Sequence, residues 1–169
     1  MKLIFKSTLL LLAIFFVGCS TKSITTTQNT LPAVYESAEK KTATTISLFI
    51  LNNYTDTPRA GMRASNLIEG ILLSKGYQVS SHLKDNLPTI QEAREIAQLD
   101  GSHYFMYGGV SEWRYKTGID GEPAVSLQIS LYDTNNLKPV WSATVSDSDW
   151  GNASIGTTAQ DLLDEVISQ

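Results

Sequence analysis

The run Val125-Ser126-Leu127-Gln128-Ile129-Ser130-Leu131 alternates apolar and polar residues without a break. A period of two puts Val125, Leu127, Ile129 and Leu131 on one face of a strand and Ser126, Gln128 and Ser130 on the other, the pattern of a half-buried strand. Working outward, residues 133–138 carry Asn135-Asn136 at their centre, a hairpin turn signal. Trp141, Ala143 and Val145 alternate again beyond that turn, which places Trp141 in the core. On the amino-terminal side, residues 103–115 read as a long aromatic strand. Gly108-Gly109 interrupts it, and glycine inside a strand marks a bulge or a close backbone approach. Residues 117–123 turn the chain between these two strands, so the three make a meander.

Before the meander the period changes. Residues 45–52 (Thr-Ile-Ser-Leu-Phe-Ile-Leu-Asn) are a compact apolar run rich in strand formers. After a polar turn at residues 53–58, Ala64, Leu67, Ile68, Ile71 and Leu72 recur at i, i+3, i+4, i+7 and i+8, one face of a helix. Gly76 follows where a left-handed C-terminal cap is wanted. Residues 77–80 form a short second strand, and residues 89–99 a second helix with Ile90, Ala93, Ile96 and Ala97 on one side. A last helix from about Ser154 buries Ala159, Leu162, Leu163, Val166 and Ile167. The order β-α-β-α-β-β-β-α describes a single-domain α/β sandwich, a mixed β-sheet with helices packed on it.

The chain begins with a basic head (Lys2, Lys6), an apolar run at residues 9–17, then Gly18 and Cys19. Such a string is a secretory signal peptide. Its apolar run is about half the ~20 residues that span a bilayer as a helix. Phe16-Val17-Gly18-Cys19 fits a bacterial lipobox, with phenylalanine where leucine is more usual. Cys19 is the single cysteine, so it has no disulfide partner. Lipidation at Cys19 is expected, and two or more acyl chains make a stable anchor. Ser20 follows, with no aspartate to suggest inner-membrane retention. The expected organisation is therefore a signal peptide at 1–18, a lipidated cysteine and flexible Ser/Thr-rich tether at 19–43, and the α/β domain at 44–169.

Removing Lys2 and Lys6 leaves eleven basic residues against seventeen acidic ones, a net charge near −6. From residue 117 onward there are eight acids and one base, Lys138. This segment repels nucleic acid and attracts a cationic partner, or simply keeps the surface soluble. Catalytic constellations are sparse. His82 and His103 share no zinc-binding spacing; there is no nucleophile elbow and no phosphate-cradling glycine loop. Ser111-Glu112 with Asp120 or Glu122 is a pairing that chance supplies. Neither an enzyme, a metal site nor a cofactor is expected. Trp150 stands in the polar string Asp147-Ser148-Asp149-Trp150-Gly151-Asn152, where it either packs locally or faces something outside the subunit.

Three stretches carry a resemblance: Glu112-Trp113-Arg114-Tyr115-Lys116-Thr117-Gly118 running on into Gly121-Glu122-Pro123-Ala124-Val125, then Pro139-Val140-Trp141-Ser142-Ala143, then Ser148-Asp149-Trp150-Gly151. In that order they resemble the PelC family, outer-membrane lipoproteins of the Pel exopolysaccharide secretion machinery. The likeness is dense only from residue 108 to 163. It implies a fold related to the curli secretion subunit CsgG and the amino-terminal domain of TolB. It also implies a dodecameric ring anchored through Cys19 at the periplasmic face of the outer membrane, below a PelB-like β-barrel porin, its acidic face guiding a cationic, partly deacetylated amino-sugar polymer. Trp150 matches the family's membrane-facing tryptophan. Asp120, Glu122, Asp147 and Asp149, all expected in loops, are the candidate polymer-guiding acids. The alternative is a monomeric periplasmic lipoprotein that activates a peptidoglycan synthase, for which a tether of about 24 residues is short.

Overall fold

A computed structural model describes residues 21–27, 30–34, 43–84, 87–117, 121–149 and 153–168. Among them are seven strands: β1 (Thr21–Thr26), β2 (Thr45–Phe49), β3 (Asn52–Asn53), β4 (Gln78–His82), β5 (Tyr104–Tyr115), β6 (Pro123–Asp133) and β7 (Pro139–Ser148). Three helices accompany them: α1 (Ala60–Ser74), α2 (Ile90–Leu99) and α3 (Ile155–Ser168). The sheet order is β1-β7-β6-β5-β2-β4, with β3 also lying beside β5. The β2 pairings with β4 and β5 are parallel, and β5, β6, β7 and β1 run antiparallel in turn. This is the expected mixed α/β sandwich.

The alternation in β6 does what its period requires. Val125, Leu127, Ile129 and Leu131 are fully buried with Trp141, Ala143 and Val145 of β7. They pack against Ile68, Ile71 and Leu72 of α1 and Leu162, Leu163 and Val166 of α3. Burial of a side chain of this size contributes roughly 1.5–3 kcal/mol, so this layer is the main source of stability. A second, smaller cluster lies on the other face, where Ala93 and Ala97 of α2 cover Phe49 and Phe105. Thus α1 and α3 share one face of the sheet, and α2 covers only one end of the other.

The helix ends follow local chemistry. Gly76 has φ +92°, and the Tyr77 and Gly76 N–H groups donate to Leu72 and Leu73 carbonyls, closing α1 with a Schellman motif. Thr89 caps α2: its hydroxyl accepts from the Glu92 N–H, and the Glu92 carboxylate accepts from the Thr89 N–H. That second bond holds the Glu92 carboxyl below the usual range. Ser65, buried within α1, donates to the Gly61 carbonyl and accepts from the Leu51 N–H, stitching the helix to the end of β2.

Both glycines of β5 serve close approach, and neither is the bulge. A Cβ on Gly108 would collide with the Gln128 carbonyl of β6 and stand 2.9 Å from the Ile129 Cα, so Gly108 serves close backbone approach. The bulge itself lies two residues further on, at the register shift between Val110 and Glu112.

The amino-terminal expectation is corrected in part. Of the stretch read as a flexible tether, Thr21–Thr26 is strand β1, hydrogen-bonded along β7 from Thr21 opposite Ser148 to Thr26 opposite Ala143. Leu31 is buried in the main cluster, and the Pro32 carbonyl accepts from the Tyr77 hydroxyl at 2.7 Å. Ser/Thr content conceals this strand: threonine is β-branched and favours strands, but Ile24 alone supplies apolar contact. The placements of Cys19, Asp120 and Trp150 lie outside the described residues.

Candidate functional site

The acids proposed from sequence meet two different fates. Asp147 does not lie in a loop. It is in β7, 9% exposed, on the helix-covered face with one oxygen 4.0 Å from the Lys22 Nζ. Burial pushes its carboxyl up from the ordinary range, and the Lys22 charge only partly opposes that. One of its oxygens, Oδ1, has no hydrogen-bond partner among the described residues. Lys22 in turn donates to Glu165 of α3 at 2.6 Å, the contact that holds its ammonium above the usual lysine range. This trio ties β1 to α3 and is a structural device. Glu122 is half-buried beside β6, 3.7 Å from the Lys116 Nζ, whereas Asp149 follows β7 and is half-exposed.

The charge asymmetry of the sequence is accordingly softened in space. Three bases from outside the acidic segment are brought to it: Lys22 to Asp147 and Glu165, Lys75 to Asp164 at 3.1 Å, and Lys116 to Glu122. The pairs with Glu165, Asp164 and Glu122 are exposed or half-exposed and worth about 0–1 kcal/mol each, so they trim the local potential more than they stabilise the fold. Sequence reasoning missed the Lys22 and Lys75 pairs because those bases lie about 90 or more residues before their partners, whereas Lys116 stands only six residues before Glu122 and is brought to it by the turn between β5 and β6.

Both histidines are absorbed structurally. His82 Nε2 lies 2.7 Å from Asp100 Oδ2 and its ring stacks on Phe49, while His103 Nδ1 accepts from the Thr45 N–H. Trp113 and Trp141 are core residues, 2% and 1% exposed. No group of three or more metal-ligating side chains occurs among the described residues, and no helix among them is long and apolar enough to cross a membrane.

The face of the sheet left open beyond α2 is the second candidate. Its β5, β6 and β7 positions carry Ser111, Ser126, Gln128, Ser142, Thr144 and Ser146, and β1 adds Ser23 and Thr25 by register. Side chains on this face bond to each other: Gln128 Nε2 donates to the Ser130 hydroxyl, and Ser111 Oγ to the Ser126 hydroxyl. A groove of about 590 Å³ runs between this face and the start of α2, and a second of about 390 Å³ continues it past Tyr54. Tyr54 is 71% exposed. No sequence signal marked it, because it sits in a polar turn whose contact with Gly109 is made only by the fold.

No family model matches the chain, and no curated protein matches it. Solved structures do. PelC from Paraburkholderia phytofirmans, a dodecamer, is 30% identical with a TM-score of 0.73, the match covering 88% of this chain and 96% of that one. The chain belongs to the PelC family. A point variant of the same PelC dodecamer in another crystal form matches at 29% identity, TM-score 0.72 and the same coverage. The lipoprotein GNA1162 from Neisseria meningitidis, 21% identical with TM-score 0.55 over 74% of this chain and 96% of its own, shares the fold. The shared fold agrees with the mixed sheet and three helices described above, in which Trp113 and Trp141 are buried.

Proposed function

We propose that this chain is an outer-membrane lipoprotein, anchored through Cys19 on the periplasmic side, that assembles into a ring and guides a cationic exopolysaccharide to an outer-membrane β-barrel during biofilm formation. The observation that carries the reading is the likeness, across 88% of the chain at 30% identity, to a protein that forms a dodecamer. The role is passive, without a chemical step. Asp120, Glu122 and Asp149 supply repeated negative charge around the ring, and Asp147, buried against Lys22, leaves that set. Single exposed carboxylates are screened within ~8–10 Å at physiological salt, so repetition is what gives them effect.

The register of β1 supports the membrane side of the reading. Thr21 lies opposite Ser148. Cys19 is two residues before the one and Trp150 two residues after the other. Thr21 and Ser148, each two residues (at most ~7 Å of chain) from those positions, stand at one corner of the sheet. A lipid anchor and an amphipathic ring joined to the chain this near one corner would suit a surface that meets headgroups.

The test is the native mass of the lipidated chain in detergent at several concentrations. A closed oligomer independent of dilution is expected, and a strict monomer at every concentration counts against the ring. For Trp150, the expected result is weaker vesicle binding by Trp150→Ala in a Cys19→Ser background; unchanged binding removes its membrane role.

A further inference from the structure

The two grooves on the open face are one surface, because both are lined by Tyr54, Ser111 and Ser126. Tyr54 is held there although it is exposed. Its N–H donates to the Val110 carbonyl at 2.9 Å, and its ring lies over Gly109, where a Cβ would stand 2.5 Å from Cε2. On one side of it, Tyr107 and Tyr132 join Gln128 and Thr144 in the lining; on the other side stand Asp56 and Glu112. Glu112 is bound by Arg114 at 2.9 Å, whereas no cation among the described residues is paired with the exposed Asp56.

We propose that this groove is a binding subsite for a chain of amino sugars, separate from the acids assigned above. The inference rests on the export reading and adds to it a contact on the sheet face. Pyranose rings present one apolar face and a rim of hydroxyls. Tyrosine rings offer the matching flat surface, and serine, threonine and glutamine offer both donors and acceptors. An ammonium on the sugar is drawn to the face of Tyr54 and to Asp56. The groove is shallow and hydroxyl-lined, unlike the deep apolar pockets that take drug-sized ligands. Among the described residues its lining carries one guanidinium, already paired with Glu112, and a phosphate backbone calls for several cations.

The test uses the lipidated chain in detergent, with glucosamine tetramer and N-acetylglucosamine tetramer as probes, calorimetry as readout and native mass recorded for each sample. Wild type is expected to bind both, the glucosamine tetramer more tightly at low salt. Tyr54→Ala, and Gly109→Ala, whose methyl displaces the ring, each weaken binding about tenfold. Asp56→Asn weakens the glucosamine tetramer alone. Wild type that binds neither probe, or Tyr54→Ala that binds as wild type does, overturns the proposal. So does a Tyr54→Ala variant whose native mass falls, because the groove is then a contact between copies. That last outcome leaves the ring reading intact, whereas a monomeric wild type that still binds glucosamine tetramer removes the ring and keeps the groove.

Discussion

Gly108 and Gly109 are neighbours in one strand, yet the fold predicts a large loss at one and almost none at the other for the same added methyl. In Gly108→Ala the methyl meets the Gln128 carbonyl and the Ile129 Cα, both backbone atoms in the paired centre of the sheet. Backbone in a ladder cannot turn aside, so β5 and β6 must separate locally. Overpacking of this kind costs about 1–3 kcal/mol. Each ladder hydrogen bond lost adds about 1 kcal/mol. A total on the order of 3–4 kcal/mol is a large share of the 5–15 kcal/mol that holds a domain together. At about 3 °C per kcal/mol for a domain of this size, Tm falls by roughly 10 °C.

In Gly109→Ala the methyl meets the ring of Tyr54, which is 71% exposed and free to swing outward. The ring buries less than a third of its surface, roughly 60 Å², so displacing it forfeits at most about 1.5 kcal/mol. Replacing glycine by alanine in a strand returns about 0.5–1 kcal/mol. The net is within about 1 kcal/mol of neutral, or about 3 °C. The assay is urea and thermal unfolding of both variants at one fixed protein concentration, because assembly contributes to apparent stability. Equal losses in the two variants, or a Gly108→Ala protein as stable as wild type, refute the geometry on which both forecasts stand.

Asp147→Asn should raise Tm at neutral pH. A carboxyl whose folded pKa is raised contributes stability below its unfolded pKa and loses it as pH rises through the folded value. The variant should therefore flatten the pH profile of Tm above about pH 4, and a lower Tm at pH 7 would show that the Lys22 attraction outweighs burial. Lys22→Met should cost about 1–3 kcal/mol at neutral pH, because it leaves the buried Asp147 carboxylate without its cation, and should speed amide exchange in β1; unchanged exchange there means that backbone pairing alone holds the strand. Gly70→Ala, at an exposed mid-helix site where a Cβ meets nothing within 4 Å, should add about 0.5–1 kcal/mol by urea titration, and a loss would reveal a contact at that site.

Period two in β6 and period 3.6 in α1 were legible because each element buries one face, and burial writes itself into the order of apolar residues. The cap at Gly76 and the capping box at Thr89 are local and equally readable. What was not legible depends on pairing between remote segments. Strand β1 has its backbone satisfied by β7 and only Ile24 touching the core, so nothing in its own composition separates it from a linker. Asp147 looked like a loop acid because Ser148 and Asp149 follow it, although alternation from Trp141 through Val145 carries straight on to position 147. Tyr54 gains its meaning from Gly109, 55 residues away.

The position of β1 also bears on how this chain should be cut. A boundary at residue 44, which the Ser/Thr-rich composition invites, would strip β7 of its outer neighbour from Ala143 to Ser148. A row of unpaired N–H and C=O groups beside apolar Val145 is a template for strand addition, and such edges drive aggregation. Strand β1 closes that edge with a short, hydroxyl-rich strand carrying a lysine, which offers a poor surface for another chain to join. The six residues that resemble a leash are the protective selvage of the sheet, and a truncated protein that precipitates would be reporting their loss.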